Sequence, residues 1–194
     1  MNNKSIFRPM HLALTFFAAA TLSVTSCKEK VEDTEEVAEE QNDEKLDGAQ
    51  ENAAEFLVEA AEMDLQEIQL GKLAQRSTNQ DIKLHGRMME EEHTKSSNDL
   101  KALAAQKGIA LPPSLTEDGM EAYKTLNDKK LEDFDRAYID MMVENHERAV
   151  TKFENNVQNT EDADVKAWAS KTLETLRSHL EHTRALQEKI KNNK

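Results

Sequence analysis

The sequence is short of several residue types: one cysteine, three prolines, five glycines and 5% aromatics. A single thiol can form neither an internal disulfide framework nor a cysteine-rich metal cluster. So few turn formers argue against an all-β fold, which needs Gly and Pro at regular intervals. Basic charge is scarce as well, with 25 Lys and Arg against 38 Asp and Glu, a formal net charge of -13 in 194 residues. Nucleic-acid binding depends on neutralising phosphates with cations, so this balance sets nucleic acid aside as a partner. What remains is a helix-forming composition of one or two domains' length.

Acid is missing altogether from residues 1–26, where Lys4 and Arg8 precede an apolar run from Leu12 to Val24. That run is too short to span a bilayer comfortably and reads as a secretory signal peptide. It ends in Val24-Thr25-Ser26-Cys27, which resembles a bacterial lipobox: a branched apolar residue, two small ones, then the cysteine that is acylated as the mature N-terminus. Cys27 is therefore predicted to be a lipid anchor, each buried methylene of its chains contributing about 0.8 kcal/mol. The membrane is then a partner through the lipid, and the expected location is the outer membrane, facing the periplasm or the cell surface. The alternative is an ordinary signal peptide with Cys27 an incidental thiol.

Residues 28–51 hold 11 acids against three lysines, with almost no large apolar side chain. Such a stretch cannot bury enough surface to offset its ordering entropy. Residues 27–51 are thus expected to be a lipidated cysteine followed by an acidic disordered tether. Lys28-Glu29-Lys30 and the acids after it resemble the export tag of bacterial surface lipoproteins, and a plain solvated spacer has the same composition.

From residue 52 to 194 the apolar pattern is helical throughout. Phe56, Ala60, Met63, Glu67, Leu70 and Ala74 alternate spacings of four and three, predicting a first long helix that ends near Ser77. Asn79 is a cap for a second helix, with Ile82, Gly86, Met89, His93, Ser97, Leu100 and Ala104 on one side and Gly108 at its end. Pro112-Pro113 breaks the pattern, and Thr116 caps a short piece through Leu126. A third helix runs from about Lys129 to Val157, with Phe134, Tyr138, Met142, His146, Ala149 and Phe153 in line. A fourth starts at Thr160 or Asp162 and carries Val165, Trp168, Thr172, Leu176, His179, Thr183, Leu186 and Ile190. The fold class is all-α, a ferritin-like antiparallel four-helix bundle with a long connection between the second and third helices. That connection is long enough for a crossover, and an up-down-up-down order also satisfies it.

Each inward stripe carries one potential metal ligand at mid-helix: Glu67, His93, His146 and His179. Imidazole and carboxylate donors on rigid helices suit iron, manganese, zinc or copper, so these four are candidate metal ligands. Glu90, three residues before His93, is a further candidate, because ferritin-like dinuclear sites use Glu-x-x-His twice. Here the second copy is missing, since Val143 and Leu176 occupy the matching positions. The other reading is a buried hydrogen-bond layer in a structural protein. His85 and His182 lie off the stripes and read as solvated, and Met88-Met89 and Met141-Met142 fit core packing better than copper ligation. No nucleophile elbow, phosphate-binding loop or paired acid/base motif is present, so no residue is assigned to catalysis.

Glu67-x-x-Leu70-Gly71-Lys72-Leu73-Ala74, Ile82-Lys83, Arg87-Met88-Met89 with His93, and Leu100-x-x-Leu103-Ala104 resemble the first half of the bacterial family known as domain of unknown function 4142. Phe134 to Ile139, Met142-Val143-x-x-His146-Glu147, Phe153 and Leu176-x-x-His179-Leu180 resemble its second half. The resemblance implies a ferritin-like domain exported to the bacterial envelope, often described as an outer-membrane protein, with no established activity. The family pattern includes Glu67, His93, His146 and His179. The expectation is a lipid-anchored envelope protein that binds a transition metal at this Glu/His set. The alternative is a non-enzymatic structural or interaction protein of the envelope stress kind, and a ferritin-like metal-dependent oxidoreductase is the form any enzyme here would take.

Overall fold

The structure, a computed structural model, describes residues 33–46 and 48–192. The predicted signal peptide, the Cys27 anchor and the Lys28-Glu29-Lys30 motif lie outside these residues. Within them the chain is all-α, with α1 Thr34–Asp43, α2 Ala49–Ala74, α3 Gln80–Lys107, α4 Glu117–Asn127, α5 Leu131–Asn159 and α6 Ala163–Asn192. Among the described residues no helix is long and apolar enough to cross a membrane.

The helix ends follow from local chemistry. The Asn79 side chain accepts from the Asp81 N–H at 2.9 Å, and Asp162 accepts from Asp164 and Val165 at the start of α6, satisfying amides that have no intrahelical partner. Gly108 closes α3 at φ 70°, a left-handed conformation that costs glycine little. Thr116 caps α4 through the Gly119 N–H.

Two apolar clusters set the directions of the long helices. Phe56, Leu57 and Ala60 from the first half of α2 pack with Leu100 and Leu103 late in α3, Phe153 late in α5, and Val165 and Leu173 early in α6. Leu70 and Leu73 from the end of α2 pack with Ile82 and Met89 early in α3, Phe134, Tyr138 and Met142 early in α5, and Leu186 late in α6. It follows that α3 and α5 run in the same sense, against α2 and α6, and that the segment between them returns along α2, where α4 packs. Met89 and Met142 are fully buried in this second cluster, as core packing requires.

Between the two clusters lies the polar middle of the protein. At the α2–α3 contact Gly71 and Gly86 bring the backbones together so closely that a Cβ on Gly86 would stand 2.6 Å from the Gly71 carbonyl oxygen. No larger residue fits there without parting the helices.

One expectation about secondary structure fails within the described residues. The acidic stretch predicted to be disordered contains α1, which packs on α2 with Ala38 and Asn42 buried. Asp33 caps it, and the Asn42 side chain both donates to the Ala110 carbonyl at 3.0 Å and accepts from the Ala110 N–H at 2.7 Å. Docking and these bonds supply what the composition lacks.

Candidate metal centre

The polar middle is built from one turn of each long helix. His93 on α3, His146 on α5 and His179 on α6 are all buried, and one ring nitrogen from each lies within 4.8 Å of the others. Their ring centroids are 5.5 to 5.7 Å apart. Three atoms no more than 4.8 Å apart have a point within about 2.8 Å of all of them, so bonds of about 2.1 Å to one ion need shifts of only about 0.7 Å per ring.

Hydrogen bonds orient two of the rings. His146 Nδ1 donates to the Met142 carbonyl at 2.9 Å, and because a carbonyl only accepts, the neutral ring carries its proton there and presents a bare Nε2. His93 Nδ1 contacts the buried Asp64 carboxylate at 2.8 Å, the arrangement that commonly supports a metal-ligating imidazole. His93 Nε2, His146 Nε2 and His179 Nδ1 are buried with no hydrogen-bond partner among the described residues. Buried polar atoms are nearly always paired, so three unpaired nitrogens on three adjoining rings form an unusual cluster.

The charges suit ligation. Burial, reinforced by His93 and His146, pushes His179 down to about 3. Burial, with His93 nearby, lowers His146 too, so both stay neutral near pH 7. Burial pulls His93 the same way, yet the hydrogen bond and charge of Asp64, helped by Glu67, leave it raised. Burial pushes the Asp64 carboxyl up.

Of the residues predicted as ligands, the structure brings the three histidines together. Glu67 is buried on α2 and lines the same pocket as His93 and His146, but it is outside the group of mutually close donors. Its Oε1 accepts from Asn145 at 2.8 Å, and its Oε2 has no hydrogen-bond partner among the described residues. Glu90 points elsewhere: its carboxylate accepts from Gln75 at 2.5 Å. Glu90-x-x-His93 is therefore a feature of an acid-rich run on a half-buried face.

Asp64 and Asn145 are the supporting residues that pattern reading missed. Asp64 sits one turn before Glu67, but among Glu59, Glu62 and Glu67 one more acid offers no contrast. His85 requires a correction, since it is buried and not solvated. Thr183 Oγ1 donates to the His179 carbonyl at 2.7 Å, so it accepts from His85 Nε2 at 2.9 Å, and His85 Nδ1 in turn accepts from the Tyr138 hydroxyl at 2.9 Å. His85 stands at helical spacing from Ile82 and Met89, which could have placed it inward. Unlike the triad, it is fully partnered.

A family model described as domain of unknown function (DUF4142) matches residues 24–186. No curated protein and no solved structure matches the chain.

Proposed function

The chain belongs to the DUF4142 family, a domain of unknown function, and on that premise we propose that it is a ferritin-like four-helix protein binding one transition-metal ion at His93, His146 and His179. The parallel run of α3 and α5, with α4 returning along α2, supports the ferritin-like crossover over an up-down-up-down order. The observation that carries the metal reading is a set of three buried, mutually close imidazoles, each with one ring nitrogen unpaired among the described residues. Three imidazole donors favour zinc, copper or iron(II) over manganese, which prefers oxygen donors. Glu67 adds a buried carboxylate beside them, and Asp64 and the Met142 carbonyl fix two rings. A hydrogen-bond layer without metal accounts for His85, Tyr138 and Thr183, but it leaves the triad nitrogens unsatisfied at a cost of about 1 to 3 kcal/mol each.

The site alone names no reaction, so the function is metal binding in the bacterial envelope, with the chain held there through Cys27. Native mass spectrometry of untagged protein, purified without chelator and then titrated with zinc, copper(I) and iron(II), tests the metal claim. One ion per chain is expected, lost when His93, His146 or His179 becomes Ala. No tight ion, or binding indifferent to these changes, overturns it. Radiolabelled fatty acid should enter the parent and not Cys27→Ala, and equal labelling or none contradicts the anchor.

A further inference from the structure

A pocket of about 530 Å³ opens between α2, α4 and α5, with His93 and His146 of the metal centre in its lining. Its inner wall includes His93, His146 and Glu67, whose unpartnered Nε2, Nε2 and Oε2 atoms are buried. Its rim carries Glu59 and Glu62 from α2 and Asp118 and Glu121 from α4. Two cations also line it, and both are engaged: Lys152 pairs with Glu59, and Arg148 with Glu144 and Asn145. Thr116 donates to Glu62 at 2.6 Å and caps α4, so the hydrogen bond that fixes this helix also fixes one side of the rim.

We propose that this pocket is the entry port of the metal centre, admitting a hydrated divalent cation from solvent and passing it to the histidines. The inference rests on the metal reading above and adds that the ion is exchangeable cargo instead of a sealed structural element. A structural ion needs no pocket. A cation with six waters at about 30 Å³ each occupies about 180 Å³, so this one holds an ion with its shell intact. The carboxylates grade inward from exposed Asp118 and Glu121 to buried Glu67, so oxygen ligands can replace water before the imidazoles do. Five carboxylates focus a negative potential in a concave wall, which speeds the arrival of cations and repels anionic ligands. The same arrangement gives α4, a helix within the connection, a role beyond joining α3 to α5.

Stopped-flow mixing of the metal-stripped full chain with Co²⁺, followed by its visible absorption, tests the port. The variants are Asp118→Asn with Glu121→Gln, both exposed and outside the ligand set, and Ala122→Trp, which narrows the pocket. At about 20 mM salt the rim variant should bind on the order of tenfold more slowly, and the difference should shrink at about 500 mM as screening takes over. Its dissociation rate and one-to-one stoichiometry should match the parent. Ala122→Trp should slow entry and exit together and leave the equilibrium affinity in place. Parent-like rates in both variants, with one Co²⁺ still bound, overturn the port while the metal centre stands. A parent chain that binds no Co²⁺, zinc, copper or iron overturns both.

Discussion

Replacing His146 by Leu should reverse sign with metal. The residue is 1% exposed, its Nδ1 donates to the Met142 carbonyl, and its Nε2 has no partner among the described residues. Met142 lies four residues back on α5, so its carbonyl keeps the backbone N–H of residue 146 after the imidazole is gone. In metal-free protein the substitution thus strands no polar group. It removes an unpaired nitrogen worth about 1 to 3 kcal/mol and adds apolar burial, offset by about 1 kcal/mol of imperfect fit. The net expectation is a gain of about 1 to 2 kcal/mol in chelator, or roughly 2 to 8 °C in a chain of this size. With metal at about a thousand times its Kd the parent gains about 4.1 kcal/mol and the variant gains nothing. Differential scanning calorimetry in EDTA and in zinc should therefore show the two melting in opposite order. A variant destabilised by about 3 kcal/mol or more in EDTA would refute the reasoning, because that is the signature of a closed hydrogen-bond network losing a member.

Three other outcomes follow from the same geometry. Gly86→Ala should lower the unfolding free energy measured by urea denaturation by about 1 to 2 kcal/mol, since backbone overlap with Gly71 outweighs the roughly 1 kcal/mol helix propensity gained; a more stable variant contradicts the close α2–α3 contact. Asp64→Asn should weaken metal affinity about 10- to 100-fold while the stoichiometry holds, measured by competition with a chromophoric chelator; unchanged affinity removes Asp64 from the centre. Burial and the charges of Glu62, Glu39, Asp33 and Glu59 raise Glu35 from 4.5 to about 7, so docking of α1 is strongest below pH 4.5 and weakens as pH rises through about 7. Hydrogen exchange of α1 amides, corrected for intrinsic rates, should be faster at about pH 8 than at about pH 5.5, and Glu35→Gln should flatten that difference.

Most of the framework was legible because alternation of three and four is a strong signal over helices this long. Asn79, Gly108 and Thr116 were readable as helix ends for the same local reason that they cap in the structure. The three histidines stood out because each interrupts an apolar stripe. α1 stayed hidden because its stability comes from Asn42 and Ala38 against other segments, whereas its own acids oppose it. Asp64 stayed hidden in an acidic helix, and Glu90 misled because one triplet of acids supplies a Glu-x-x-His spacing by chance. His85 was discounted because a stripe drawn through single residues is narrower than the face a helix buries. Which rings would leave a nitrogen unpaired depends on tertiary partners, and no periodicity encodes that.

X-ray absorption at the edge of whichever metal the untagged protein carries reads the donors around the ion. One ion per chain is expected, with nitrogen donors at about 2.0 to 2.1 Å and the outer-shell scattering of three imidazoles. A chain that carries and takes up no transition metal, or an ion ringed by oxygen without imidazole scattering, would contradict it.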